Sequence, residues 1–297
     1  MVKDMNGIIN IDKPKGFTSH DVVAKLRGIL KTKKIGHTGT LDPDAVGVLP
    51  VCVGHATKVA DMLTASEKEY IAEVTLGSKT DTQDASGTVL ATAEVRVSET
   101  DILRVAQSFL GDSMQIPPMF SAIKQDGKKL YELARQGVEV ERKPRPITIH
   151  EIEILEVCLD RQIFTMRIAC SKGTYIRTLC QDIGERLGCF AHMSALKRTK
   201  SGRFEEKDSL TLNEIEQRVK AEDFSFLLPV DQVFEELPPL YLSQRKAELM
   251  RHGVQVRTPG ICEGTTYRVY DEKGNFLSIS LAEQGMLKLK KTFYATT

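Results

Sequence analysis

The sequence predicts an α+β protein that ends in a small β-rich module, and three observations carry that prediction. Apolar residues recur at helical spacing in several segments, for instance Val22, Val23, Leu26, Ile29 and Leu30. Other segments alternate with a period of two, notably Thr148 to Leu155 and Gln162 to Cys170, which read as a hairpin. Beyond a proline-bounded run from Pro229 to Pro239 the pattern changes: short alternating runs are punctuated by Gly253, Gly260, Gly264, Gly274 and Gly285, as in a small barrel or sandwich. A length of 297 residues with 41% hydrophobic composition suits two domains with packed cores, and the proline run places their boundary, giving 1–235 and 236–297.

In order, Asn6 to Asp12 reads as a short strand and Lys13-Pro14-Lys15-Gly16 as the turn out of it. Ser19 fits as the N-cap of the first helix, which turns Lys25, Arg27 and Lys31 outward. Next comes a turn dense in glycine and proline, Gly36 to Pro50, with His37 and Asp42 on it and the apolar run Val48 to Val53 directly after. Pro43 fixes a dihedral just past the acid, so the segment is built to hold a shape. Ala56 to Leu63 reads as a short helix, Tyr70 to Leu76 as a strand, Gly77 to Gly87 as a polar connection and Thr88 to Val97 as a second strand.

Ser98-Glu99-Thr100-Asp101 opens a helix through Ile102, Val105, Ala106, Phe109 and Leu110, which Gly111 ends. Met114 to Arg145 combines Pro117-Pro118, Gly127, seven lysines and arginines from Lys124 onward and one helical patch at Leu130 to Ala134. A connection of that length is an insertion with a task outside the core. Tyr175 to Leu187 reads as a helix, and Thr211-Leu212-Asn213-Glu214 as a capping box opening another.

Composition narrows the function classes. No apolar run approaches the roughly 20 residues that cross a bilayer, and Met1-Val2-Lys3-Asp4 lacks a secretory apolar core, so a cytoplasmic protein without membrane contact is expected. Six scattered cysteines without Cys-x-x-Cys suit reduced thiols; Cys180, Cys189 and His192 fit no usual finger spacing, and no metal is expected. The net charge of +1 hides segregation: Lys25 to Lys34 has five basic residues and no acid, Arg161 to Arg203 nine basic against two acidic, and Phe204 to Pro239 three basic against ten acidic. Such a distribution permits a basic groove for phosphates, although on charge alone ordinary solvated surfaces are the favoured reading.

Gly36 to Pro50 closely resembles the signature of the TruB family, the bacterial tRNA pseudouridine synthases that modify the T-loop uridine. The likeness extends to Lys13-Pro14-Lys15-Gly16, Glu69-Tyr70, Thr80-Asp81-Thr82-Gln83-Asp84, Pro117-Pro118-Met119-Phe120-Ser121-Ala122, Lys172-Gly173-Thr174-Tyr175-Ile176-Arg177 and Leu196-Lys197-Arg198-Thr199. It is clear over residues 7 to about 203 and weak in the C-terminal third. Lys197 stands where many relatives carry arginine, which removes a bidentate phosphate contact there.

The resemblance implies a pseudouridine synthase fold with a mixed, largely antiparallel central sheet, the 114–145 insertion closing over RNA like a thumb, and a PUA-like RNA-binding tail; a β-rich stability appendage is the alternative for the tail. It places the catalytic carboxylate on Asp42 and its cationic partner on Arg177. Tyr70 would be catalytic too, stacking the uracil and bringing its hydroxyl near the reacting carbon, with a core-packed strand tyrosine as the other reading, and Tyr175 and Leu196 would line the base pocket. His37 matches a residue that supports the extruded nucleotide, though a histidine can also act as a general base. Asp84 would hydrogen-bond RNA or the surroundings of Tyr70, or stabilise its own turn. Lys13 joins these as a substrate-binding candidate.

Converting uridine to pseudouridine breaks the N1–C1′ bond and rejoins uracil through C5, without oxidation. An aspartate serves by attacking C6 or C1′, or as a base on the sugar. With no Gly-x-Gly-x-x-Gly after a strand and no Walker A lysine loop, no cofactor is expected. The implied partner is the tRNA T-stem-loop, whose target base must be extruded from its stack, and the implied state is a monomer. Two other readings stand beside this one: a dyskerin-like catalytic subunit of a guide-RNA ribonucleoprotein, and a non-catalytic RNA-binding or RNA-folding protein on the same fold.

Overall fold

The computed structural model describes residues 5–125 and 127–293, so the Met1-Val2-Lys3-Asp4 stretch lies outside the described residues. β1 (Gly7–Lys13) is mostly buried and leads into α1 (Ser19–Leu30). The N-cap of α1 is Thr18 rather than Ser19: the Thr18 hydroxyl accepts from the Asp21 N–H while the Asp21 carboxylate accepts from the Thr18 N–H. A reciprocal cap needs an acid three residues on, and only Thr18 has one there. β2 (Ile35–His37) and β3 (Val46–Val53) flank the glycine-rich turn, followed by a 3-10 turn (Gly54–Val59), α2 (Ala60–Thr64) and β4 (Lys68–Leu76).

β5 (Ser78–Thr80) and β6 (Val89–Thr92) pair only with each other, so the strand predicted over Thr88 to Val97 is shorter and stands off the main sheet. Val89 and Leu90 are exposed, which leaves this ribbon without an apolar face to bury. α3 (Glu99–Gln107) begins at the predicted Ser98 box, but Gly111, at φ +90°, starts β7 (Gly111–Gln115) instead of closing the helix. The insertion accordingly runs from 116 to 144 and holds β8 (Lys124–Gln125), β9 (Lys128–Lys129) and α4 (Leu130–Ala134). The chain continues through β10 (Arg145–Cys158), β11 (Ile163–Cys170), α5 (Ile176–Leu187), β12 (Ala191–Ser201), β13 (Phe204–Glu205), α6 (Leu212–Lys220) and α7 (Val230–Val233).

The main sheet has the order β1-β3-β12-β4-β11-β10-β7, with β2 added to β3 and β13 to β12. Only the short β3–β12 contact is parallel, so the sheet is mixed and largely antiparallel, as expected. One face carries Ile9, Ile11, Val51, Ala72 and Val74 against Val22 and Leu26 of α1, Leu179 and Ile183 of α5 and Ile215 of α6. Burial of such side chains, at about 1.5–3 kcal/mol each, is what drives the layers together.

No periodicity predicts β12, yet it is the strand that joins β3 to β4. Its alternation is interrupted by bulges between Met193 and Ala195 and between Arg198 and Lys200, and its inward positions include Arg198. A period of two that slips phase and buries a cation is invisible to a hydrophobic count. At the parallel contact Gly47 is required: its φ is +96°, and a β-carbon there would stand 2.4 Å from the Arg198 carbonyl oxygen.

The tail forms a separate five-stranded sheet from β14 (Pro239–Leu242), β15 (Val256–Arg257), β16 (Thr266–Asp271), β17 (Phe276–Glu283) and β18 (Met286–Thr292), with α8 (Gln244–Arg251) across it. It docks on the main body through Ile279, Phe276 and Phe293, which pack with Ile8, Val48, Val230 and Phe234. Lys291 pairs with Asp61 at 2.8 Å, and Lys58 donates to the Thr292 carbonyl at 2.8 Å. Among the described residues no helix is long and apolar enough to cross a membrane.

Candidate active site

Asp42 sits on the turn between β2 and β3, and the residues on either side of it are tied down. The Leu41 N–H donates to the Ser19 hydroxyl at 2.9 Å, so Ser19 holds this turn instead of capping its helix. Pro43 presents its carbonyl to the Gly16 N–H at 2.9 Å and to the Lys13 ammonium at 3.0 Å. Lys13 is fully buried and also donates to the carbonyls of Pro14 and Phe17. Burial pulls its pKa down to about 8, with Asp44 and Asp42 opposing the shift. The predicted substrate contact of Lys13 has a different placement here: its ammonium faces main-chain carbonyls beneath the turn, not the cleft.

Arg177, in the first turn of α5, closes a two-point contact on Asp42. Its Nε lies 3.0 Å from Oδ2, and its Nη2 donates to Oδ1 at 3.4 Å. The rest of the guanidinium donates to the Thr82 carbonyl at 3.0 Å and the Phe120 carbonyl at 2.8 Å, with the Asp84 carboxylate at 3.6 Å. The Arg177 side chain is 6% exposed and that of Asp42 37%, so the arginine is fixed while the acid opens on the cleft. Burial pushes the Asp42 carboxyl above the usual carboxylate range; Arg177 pulls against that shift and Asp84 adds to it.

The cleft has two lobes, of about 770 and 800 Å³, that share Asp42, Phe120, Tyr131, Arg177 and Leu196. Tyr70 and Tyr175 line the first lobe. Tyr70, half-buried on β4, has its phenol pKa raised by burial, with the Arg198 guanidinium opposing. Tyr175 precedes α5, and Gly173, two residues before it, takes φ +80°, which turns the chain into the helix. Leu196, on β12, forms an apolar wall at 8% exposure. Five of the candidates, Asp42, Tyr70, Tyr175, Arg177 and Leu196, therefore share one lobe.

Asp84 lines the second lobe and does two things. It stabilises its own turn, accepting from Thr82 Oγ1 at 2.7 Å and from the Ser86 N–H at 3.0 Å, and it faces Arg177. His37 is absent from both linings. Its ring meets His20 edge-on at 5.1 Å, and burial, followed by the nearby His20, lowers its pKa. His20 in turn lines the second lobe.

Two cations on the first lobe escaped the sequence reading. Arg198 is 1% exposed, donates from Nε to the Val48 carbonyl and lies beside Tyr70. Lys68 is 7% exposed, donates to the Thr64 carbonyl at 2.7 Å, and burial pulls its pKa down to about 8. A signal for Arg198 did exist. It stands two residues after Leu196, and in a strand that spacing returns to the same face. The intervening Lys197 points the other way and pairs with Glu206.

Comparison with known proteins shows the family. Residues 27–176 match the TruB family pseudouridylate synthase N-terminal domain, and residues 177–235 match the tRNA pseudouridylate synthase B C-terminal domain. A tRNA pseudouridine synthase B of Geobacillus thermodenitrificans is 47% identical, over 87% of this chain and 88% of its own. That of Clostridium kluyveri is 42% identical, over 97% of this chain and all of its own. Among solved structures, a chain of a Cbf5-Nop10-Gar1 complex superposes with a TM-score of 0.74 at 29% identity, covering 98% of this chain and 85% of the other. With both family domains present in order, relatives matched along nearly their whole length, and an aspartate–arginine pair at the heart of the cleft, this chain belongs to the TruB family of pseudouridylate synthases.

Proposed function

We propose that this protein isomerises the T-loop uridine of tRNA to pseudouridine, with Asp42 as the catalytic carboxylate. One observation carries the reading: a carboxylate open to a cleft large enough for a nucleotide, gripped from behind at 3.0 Å by a buried guanidinium. In the reaction the N1–C1′ bond breaks, the uracil turns, C5 bonds to C1′, and the proton lost from C5 is balanced by one gained at N1. Asp42 attacks C6 or C1′, or takes a proton from the sugar. Arg177 keeps the carboxylate ionised against the cost of burial. Tyr70 offers a face for the freed uracil, while Tyr175 and Leu196 wall the pocket so that the base turns in place. The exchange is redox-neutral and requires no cofactor.

The 116–144 insertion closes over the RNA through its lysines and arginines, and residues 236–297 act as a PUA-like RNA-binding module. His37, beside the second lobe, supports the extruded nucleotide, and Asp84 holds the loop against Arg177. The enzyme works as a cytoplasmic monomer. Names borne by its relatives, tRNA pseudouridine synthase B, support tRNA as substrate. The likeness to a Cbf5 chain solved with Nop10 and Gar1 raises a second reading, a subunit that needs partner proteins and a guide. Incubating the purified protein with an unmodified tRNA transcript and mapping pseudouridine at nucleotide resolution separates the two. Product at the T-loop uridine supports the stand-alone enzyme; an unchanged uridine where binding is demonstrated defeats it.

A further inference from the structure

β7 is exposed along its length except at its last residue, Gln115, which is 6% exposed. Both ends of that amide are engaged by one residue across the sheet edge. The Gln115 Oε1 accepts from the Tyr175 N–H at 2.8 Å, and its Nε2 donates to the Tyr175 carbonyl at 3.0 Å. Tyr175 is the N-cap position of α5 and its side chain makes no cap hydrogen bond. Its carbonyl is also the first acceptor of the helix, receiving the Leu179 N–H at 3.1 Å. Gln115 therefore caps α5 from another strand, at the turn that carries Tyr175 and Arg177.

Arg177 lies two residues on, and its guanidinium has to meet Asp42, the Thr82 carbonyl and the Phe120 carbonyl together. Those acceptors come from three separate segments, so a small shift of the helix start breaks the set. We propose that Gln115 is a positioning residue for the reaction, its buried amide fixing the Tyr175 main chain and so aiming Arg177 at Asp42. This rests on the activity proposed above. Gln115 pairs with Arg145 across β7 and β10, the two ends of the insertion, so the anchor sits at the insertion's root.

The test measures single-turnover pseudouridine formation on a tRNA transcript, the dissociation constant for that transcript, and thermal melting. Gln115→Ala should lower the rate at saturating RNA by about 10- to 100-fold, as sub-ångström misplacement of catalytic groups does, with affinity within about twofold. Gln115→Glu supplies a finer readout. A neutral carboxylic acid can accept from the Tyr175 N–H and donate to its carbonyl, whereas the carboxylate repels that carbonyl. The ratio of Gln115→Glu to wild-type rate should therefore climb as pH falls. A Gln115→Ala rate within about twofold of wild type, or a loss confined to affinity, overturns the role. If Gln115→Ala does not fold, a pH-independent ratio for Gln115→Glu overturns it. Absence of turnover by the wild type defeats the proposed activity itself, a result distinct from either.

Discussion

On the floor of the cleft, Leu41 and Pro43 are tied to buried side chains on both sides of Asp42, and the turn continues into a strand whose residues are almost all buried. The roof, residues 116–144, has two-residue strands, a five-residue helix and few buried apolar side chains, chiefly Met119 and Leu130. Its cations Lys129 and Arg135 flank the Tyr131 ring at 5.3 and 5.5 Å, and all three line the second lobe. The floor holds geometry with desolvated hydrogen bonds, while the roof presents charge and an aromatic face to whatever enters. Chemistry needs positions held to fractions of an ångström, whereas phosphate binding tolerates movement.

Substitutions that separate the two regions test this division. Asp42→Asn should abolish turnover, by about 10⁴-fold, while leaving RNA affinity within a few-fold in a binding assay. Retained activity would leave the floor without a catalytic role and favour an RNA-binding protein. Arg177→Lys should cost about 10²-fold, because an ammonium cannot make the two-point contact. It also carries a pH signature. Burial holds the Asp42 pKa above the carboxylate range and Arg177 restrains that rise, so weakening the contact moves it further up. Activity that needs the ionised acid is lost as pH falls through this value, so the acidic limb of the rate profile should shift to higher pH; an unmoved limb would show that Asp42 is not the titrating group.

Lys13→Met keeps the buried stem but removes the ammonium from the carbonyls of Pro14, Phe17 and Pro43, of which Pro43 keeps the Gly16 N–H. A stability loss of about 3 kcal/mol by denaturant unfolding is expected, with turnover falling more than affinity. A change in affinity alone would return Lys13 to the substrate surface. The smallest effect belongs to the roof. Replacing Lys124, Lys128 or Arg135 singly by Gln should weaken RNA binding a few-fold and leave the rate at saturation unchanged. The slope of log affinity against log salt should become shallower by about 0.7–0.9 for each phosphate that the variant no longer neutralises.

How much of this was readable beforehand varied with distance along the chain. The capping boxes at Ser98 and Thr211 and the 148–170 hairpin depend on residues a few positions apart, and each appears as predicted; the glycine-punctuated tail is β-rich as predicted, but as one five-stranded sheet. Thr18 displaces Ser19 as the cap because its reciprocal acid, Asp21, stands three residues on, a signal still local in origin. β12 lay beyond such patterns; Arg198 shares a face with Leu196, but the Val48 carbonyl that its Nε meets is 150 residues away, and Lys68, whose acceptor Thr64 is four residues back, shows its burial only in the fold. The same holds for Lys13, whose charge suggests a surface until the fold supplies its acceptors.

By itself, then, the sequence determined the α+β class, the glycine-rich turn that bears an acid, and the resemblance that named Asp42 and Arg177 together. Only the tertiary structure decided that these two, 135 residues apart, meet at 3.0 Å, that Lys13 braces the turn from beneath, and that His37 borders the second lobe through the ring of His20. The reason is physical. Turns and caps follow from a few neighbouring dihedrals and hydrogen bonds, whereas a buried ion's partners are set by which strands happen to lie side by side once the whole sheet has formed.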